Sequence, residues 1–543
     1  MDVRPTIASF APTMWGNTFT SFSADMNKVQ EEYAEAIEAL KEDARSLLVA
    51  KGNRTADRLI LIDTFERLGV AYHFEQEIED QLQDIFKLHS ETEDDYDLFI
   101  TALQFRLLRQ HRHFVSSRVF DKFMSEDNKL KETLKDDVKG LLSLYEAAHL
   151  KIHGEAILEE AVVFTTHHLK LILQQSDQSP LQDQVKRALQ QSLHRGVSRI
   201  ETRHYISFYE RDDSKNELLL KLAKLDFNYV QNLYKKELHE LARWWNEVDL
   251  KSKLPYARDR LVESYFWGVA IHFKPQDSYA RLAVGKSIQI IATINDTYDR
   301  YATLEEADLF NEILERWDIN EIDGLPNYMK IVYKFILSIY DDYEIEASKQ
   351  GKSYAVSYAK ETVKQLCKAY NKVQKWAMGQ QTPTFEEYVA NMMFTSSIYL
   401  ILSSTIPGMK SASKQTIDWL MGEPKIVSAS ATIGRYSNDL GSYERENKGG
   451  RLPTAVRCYM KQYGVSKEEA LDEFVELVED AWKDLNTEWI TETSVVPKDM
   501  AEQLLNVARA SEVTYVNRQD GYSDPETYLA PQLVALFVNP ILI

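Results

Sequence analysis

A chain of 543 residues, 44 % of them hydrophobic, exceeds one hydrophobic core, so two or more domains are expected. Its 19 glycines and 14 prolines are few for a protein built on strands and turns, and its net charge of −20 argues against a general nucleic-acid surface. Two cysteines, Cys367 and Cys458, exclude a disulfide framework and suit a reducing compartment.

Residues 1 to about 25, with Pro5, Pro12, Trp15 and Gly16, read as an ordered but non-helical arm. Neither a signal core nor a transit peptide is read there, and no apolar run is read as reaching the roughly 18 residues that span a bilayer. A cytoplasmic protein without stable membrane insertion is expected. Amphipathic segments then follow one another, for example Val29–Lys51, Ala56–Phe86 and Tyr96–Phe120. A polar break at Arg211-Asp212-Asp213-Ser214-Lys215 precedes the long helix signal Asn216–Trp245, for which Ser214 is the expected N-cap. The domain boundary is placed there, giving 1–215 and 216–543. The second half again reads as long helices, joined by breaks such as Thr382-Pro383-Thr384. The fold class expected is all-α.

Chemistry concentrates in two polar stripes about 140 residues apart. Asn295-Asp296-Thr297-Tyr298-Asp299 closes the apolar run 287–294, so a helix would place Asn295 and Asp299 on one face with Ile288, Ile291 and Ala292. The second stripe sets Asn438, Ser442 and Glu446 at successive spacings of four. Oxygen donors so spaced suit magnesium, which keeps water and phosphate oxygens in its shell. Facing stripes would form a cage for a diphosphate. Either alone could be a helix terminus or a solvated acidic face; their pairing favours the cage. Arg258, Arg260 and Arg435 are candidate phosphate cations, since guanidinium forks match phosphate oxygens. Trp267, Tyr515 and Tyr522 are candidates for stabilising a carbocation, a ring face being worth roughly 0.5–2 kcal/mol to a cation.

Two other clusters read differently. Asp341-Asp342-Tyr343-Glu344 sits among lysines and glutamate as a solvated helix. Glu146, His149 and His153, with Glu201-Thr202-Arg203-His204, resemble halves of a di-iron site, but Glu201 to His204 read as solvated.

With these residues in view, the whole chain resembles the plant class I terpene cyclases, specifically the sesquiterpene synthases, with a flavour nearest the β-farnesene-like enzymes. Arg4-Pro5 to Trp15-Gly16, Leu59–Asp63 with Arg67–Val70, Phe105–His111, Arg258-Asp259-Arg260, Glu263–Trp267, both stripes and Asp520-Gly521-Tyr522 carry the likeness. The resemblance implies two helical domains, with the active site in a C-terminal α-barrel. It implies that Asn295, Asp299, Asn438, Ser442 and Glu446 hold three magnesium ions, with manganese as a substitute. The substrate implied is farnesyl diphosphate, with geranyl or geranylgeranyl diphosphate as alternatives. Arg258, Arg260, Arg435 and Asp296 would serve the diphosphate, and Trp267, Thr395, Tyr515, Asp520 and Tyr522 the pocket. The arm with Arg4 would close it, and a monomer is expected. A chain-elongating prenyltransferase would carry a second Asp-rich motif, which is missing here.

Asn295 departs from the family's leading aspartate, removing one charge from the cage. An amide oxygen still ligates a hard cation, so weaker magnesium affinity or slower ionisation is expected. A helical scaffold with a decayed site is the non-enzymatic alternative. Thr395-Ser396-Ser397-Ile398 replaces a Thr-rich run and is expected to reshape the pocket.

Overall fold

The computed structural model describes residues 10–21, 25–89, 96–174, 179–449, 452–491 and 496–543. Arg4 and Pro5, assigned above to the closing arm, lie outside the described residues. Among those described, the protein is helical without strands; one isolated bridge joins Met124 and Leu130. The chain divides into two compact units. One comprises residues 1–22, 235–482 and 496–533, the other residues 23–234, 483–495 and 534–543. The division falls inside the helix Glu217–Val248, whose first residue lies two beyond the boundary expected from sequence. Its N-cap is Asn216, whose side chain accepts from the Leu219 amide; Ser214 instead bonds Asp212.

In the unit holding most of the N-terminal half, the amphipathic segment read over 56–86 holds two helices and a turn between them. The helix Thr55–Arg67 stops, a 3-10 turn spans Ala71–His73, and Glu75–His89 follows. Gly69 makes the break at φ +74, where an added Cβ would also lie 2.7 Å from Thr202 Oγ1. Within the amphipathic segment Tyr96–Phe120 a helix starts at an Asp97 cap and ends at Gln110. It is buried almost throughout, and Arg109 explains much of that. Its guanidinium lies over Phe105, donates to the Val115 and Leu150 carbonyls and pairs with Glu155. The Phe105–His111 signature is therefore architectural.

The possible di-iron residues are spent on structure. Glu146 accepts from the Leu193 amide, His149 Nδ1 faces the Tyr145 carbonyl, and His153 faces Asp484. Glu201 is buried, not solvated as expected, because the adjoining helix delivers Arg187 to it at 3.0 Å. Burial pushes the Glu146 carboxyl up to about 7, against the Leu193 amide and two arginines that lower it. Folded protein therefore takes up a proton that the unfolded chain has released between about pH 4.5 and 7, and stability falls as pH rises through that window. Glu146→Gln keeps an acceptor for Leu193 and should stabilise the protein by about 1–3 kcal/mol at pH 8. Thermal unfolding of both proteins from pH 4 to 8 checks this; the gain should vanish below about pH 4.5.

The second unit carries the helices that matter below: α1 (Leu261–Ile271), α2 (Ser278–Arg300), α3 (Ala355–Met378), α4 (Phe385–Thr395), α5 (Ile398–Thr405), α6 (Lys425–Gly449) and α7 (Lys498–Thr514). Helix α1 is buried on every side, as its predominantly apolar composition demands, and the Glu263 and Ser264 within it meet Trp15 and Tyr522. It packs closely on α2 because Gly268 leaves room where a Cβ would collide with the Arg281 carbonyl. Arg281 is itself locked to buried Glu237 at 2.7 and 2.9 Å, which also accepts the Tyr265 hydroxyl. These contacts set the axial position of α2, and with it the first stripe.

Helix α4 begins at Thr384 with a capping box to Glu387. Together α4, α5 and the turn after them form a run, Phe385–Gly408, that is long and apolar enough to cross a membrane by length and composition. This corrects the expectation that no such run exists. Some 72 % of its most apolar stretch is buried inside the protein, and Ser397, at φ +64, breaks it in two. Burial and the break fit a core pair of helices.

Candidate active site

Apolar residues recur along α2 up to its last turn, where polarity begins. Ile288, Ile291 and Ala292 therefore line a cavity of about 650 Å³, and Asn295 and Asp299 continue the same face to its rim. Helix α6 lines another wall with Ser430, Ala431, Gly434, Arg435, Asn438 and Glu446. Trp267 from α1, Thr395 and Ser397 at the α4–α5 break, and Tyr515 and Tyr522 beyond α7 add to the lining. Both stripes, 140 residues apart in sequence, thus open onto one chamber.

Electrostatics agree that the stripes approach each other. Asp299 is pushed up to about 7, first by burial, then by the charges of Glu446 and Asp296, with Arg300 and Arg258 opposing. Asp439, behind the second stripe, is raised to about 6 by burial and Glu446 against the pull of Arg435. Carboxylates so crowded and desolvated call for a cation. Asp299 Oδ1 and Ser442 Oγ are buried without a hydrogen-bond partner. Orphaned oxygens on both stripes are the pattern expected of donors kept for a hard metal ion. Among the described residues no group of three or more His, Cys, Asp or Glu side chains could hold a metal. The donor set here is two carboxylates, two amides and a hydroxyl, which lies outside that description yet suits magnesium.

Asn295 is engaged at both ends: its oxygen accepts from Arg258 at 2.8 Å, and its nitrogen donates to Asp299 at 2.7 Å. An aspartate there would set carboxylate against carboxylate. Asn295→Asp should lower the metal-free melting temperature by a few degrees and enlarge the joint stabilisation by magnesium and pyrophosphate. A thermal-shift titration measures both; an unchanged metal response would count against ligation at 295.

Not every candidate faces the chamber. Arg258 does, 2.8 Å from Asn295 through one nitrogen and 3.1 Å from Ser523 Oγ through another, with its backbone amide and Nε on Asp296. Asp296 is fully buried behind the lining and serves Arg258. Arg260 also lies behind it, donating to the carbonyls of Asp259, Ala11 and Ser523, so it ties the N-terminal arm to the segment after α7. Trp15 reinforces that tie by donating to Glu263 at 2.9 Å. Asp520 accepts from Arg445 at 2.7 Å and from the Ser523 amide, again outside the lining. Ser442 is fully buried and outside it too. Arg435 reaches Asp439 at 2.7 Å and the Tyr388 hydroxyl at 3.3 Å.

The aromatic candidates Trp267, Tyr515 and Tyr522 all line the chamber. Tyr522 is placed by a chain in which Gln289 donates to Ser264, and Ser264 meets the Tyr522 hydroxyl at 3.0 Å. Tyr515 and Asn438 both line the chamber, and burial holds the Tyr515 phenol well above the ordinary range. Sequence reasoning missed Arg300, Arg445, Tyr370, Tyr388 and Phe10. Phe10 lies 4.9 Å from the Arg258 guanidinium and 4.0 Å from that of Arg300. The two arginines had a usable signal, since each adjoins the outermost carboxylate of a stripe.

Comparison with known proteins bears on this geometry. Residues 246–484 match the family model described as "Terpene synthase family, metal binding domain", and residues 14–189 match "Terpene synthase, N-terminal domain". The chain is 52 % identical to the gamma-cadinene synthase of Ocimum basilicum, over 100 % of this chain and 99 % of that protein. It is 49 % identical to the tau-cadinol synthase of Lavandula angustifolia, over 99 % and 98 %. Among solved structures, isoprene synthase from grey poplar leaves (Populus x canescens), in complex with three magnesium ions and dimethylallyl-S-thiolodiphosphate, superposes with a TM-score of 0.87. That match has 34 % identity and covers 96 % of this chain and 99 % of the other.

Proposed function

The chain belongs to the terpene synthase family, and from that premise we propose that it is a sesquiterpene synthase converting farnesyl diphosphate to a C15 hydrocarbon or alcohol with release of diphosphate. One observation carries the reading: a chamber of about 650 Å³ has an apolar and aromatic wall and a rim of arginines and oxygen donors from two helices. A prenyl diphosphate has the same division, a greasy chain ending in a charged head.

Asn295, Asp299, Asn438, Ser442 and Glu446 would hold magnesium, three ions in this reading with manganese as a substitute, and the metal would supply positive charge that offsets the departing diphosphate. Arg258 and Arg435 orient the diphosphate, each pinned from behind by an aspartate so that its donors are preorganised. The C–O bond breaks with its electron pair leaving on the diphosphate. The allylic cation then lies against Trp267, Tyr515 and Tyr522, whose faces stabilise it without attacking it. Burial of the wall excludes water until proton loss or capture ends the sequence. Arg260 and Asp520 act as positioning residues, one for the arm and one for Arg445. Product identity rides on the contour set by Thr395, Ser396, Ser397 and Gly434; the β-farnesene-like flavour is not what the relatives named above are called after. The same reading makes the protein a cytoplasmic monomer with no nucleic-acid partner and no stable membrane insertion.

Incubation with geranyl, farnesyl and geranylgeranyl diphosphates and magnesium, followed by mass spectrometry, tests the proposal. A C15 product from farnesyl diphosphate is expected. Turnover of only the C10 or C20 substrate would reassign the substrate. Absence of product, with no joint stabilisation by magnesium and pyrophosphate, would mark a scaffold with a decayed site.

A further inference from the structure

Among the described residues, four arginines, Arg258, Arg300, Arg435 and Arg445, line the chamber, against two carboxylates, Asp299 and Glu446. In a protein of net charge −20, that concentration of cations is local and directed. Arg300 follows Asp299 at the end of α2, and Arg445 precedes Glu446 on α6, so each stripe ends in a carboxylate with a guanidinium beside it. Neither arginine belongs to the cations read from the sequence.

Each guanidinium is held in place. Arg300 lies 4.0 Å over Phe10, with Asp296 at 3.7 Å. Arg445 bonds Asp520 at 2.7 Å and approaches Glu446 at 3.7 Å, and its Nε is buried without a hydrogen-bond partner. Fully buried Asp296 and Asp439, and partly buried Asp520, thus stand behind Arg258, Arg435 and Arg445, fixing forks whose geometry matches phosphate oxygens. Asn295 complements this arrangement. It leaves Asp299 as the only carboxylate that the first stripe turns to the chamber, weakening the pull on metal where Arg300 adds a fixed positive charge.

We infer that Arg300 and Arg445 complete a four-arginine cradle that binds the diphosphate group directly, without metal. This rests on reading the chamber as a diphosphate site and adds two residues and a metal-independent mode to it.

Calorimetric titration of the full-length protein with inorganic pyrophosphate, in EDTA at low salt, tests the cradle. Wild type should bind, with affinity falling as salt rises. Arg300→Gln and Arg445→Gln should each weaken binding by about 3- to 10-fold, and the double variant by more than 10-fold. Lys286→Ala, on the outer side of α2 and paired with Asp342, should bind as wild type. If the glutamine variants fail to fold, Arg300→Lys with Arg445→Lys should still weaken binding severalfold, because charge survives but the fork does not. No metal-free binding by wild type, or a double variant within twofold of it, would overturn the cradle. Turnover of farnesyl diphosphate with magnesium separates the two readings. Product alongside an unaffected double variant would remove only the cradle; no product from any prenyl diphosphate alongside a weakened double variant would remove only the synthase assignment.

Discussion

Asp299→Asn is expected to reduce product formation from farnesyl diphosphate by about 10³-fold or more, while making the metal-free protein more stable at pH 8. The first effect follows from Asn295. Because Asp296 is committed to Arg258, Asp299 is the only carboxylate that the first stripe presents to the chamber, and removing it leaves two amides. A loss of 10³ corresponds to about 4 kcal/mol of transition-state stabilisation, in the range expected when a metal site at a leaving group fails. The second effect has the opposite sign. Burial and Glu446 push Asp299 up to about 7, far above its unfolded value, so folded protein retains a proton that the unfolded chain loses. Stability falls as pH rises from about 4 to 7, and asparagine avoids that penalty. A gain of about 1–3 kcal/mol at pH 8, absent below about pH 4, should appear in thermal unfolding. Steady-state assays with mass-spectrometric detection measure the activity. Lost activity with lowered stability would mean that Asp299 is a structural residue.

Arg258→Ala should be costly to fold and function alike. The guanidinium bonds Asp296, Asn295 and Ser523 and lies near the rings of Phe10 and Tyr522, so it joins the first stripe, the arm and the segment after α7. Its loss leaves Asp296, fully buried, with Arg300 at 3.7 Å as its remaining ion-pair partner among the described residues. Breaking a buried pair costs about 3–5 kcal/mol, and Arg300 should offset part, leaving about 2–4. Adding Asp296→Asn to Arg258→Ala should return about half of that stability, because the stranded charge disappears, but none of the activity. Chemical denaturation of the two single variants and the double variant closes the cycle. A double variant no more stable than Arg258→Ala would show that lost packing, rather than unpaired charge, dominates.

Both stripes were legible in the sequence because spacing along a helix dictates a face. Asn295 with Asp299, and Asn438 with Glu446, follow apolar residues at the same period, and a face that starts apolar and ends polar belongs at the rim of a cavity. Arg435 was legible for the same reason, one turn before Asn438. What periodicity does not carry is which charge a distant segment captures. Asp296 is neighbour to two candidate ligands, yet it turns behind the lining to meet Arg258, 38 residues earlier. Asp520 looks like a pocket residue beside Tyr522 until Arg445, 75 residues earlier, draws it aside. Arg260, two residues from Arg258, is taken up by the Ala11 carbonyl of the arm and the Ser523 carbonyl.

The same limit explains the breaks in the helices. Gly69 and Ser397 interrupt segments whose composition stays helical, each with a left-handed backbone, at φ +74 and +64. Composition and helical period by themselves determined an all-α protein, two oxygen-bearing faces and their chemistry. Only tertiary structure decided that those faces share one chamber, which arginines reach it and which carboxylates are spent holding them. A helix face is a local property of spacing, whereas the partner of a buried charge depends on long-range packing that brings remote segments within a few ångströms.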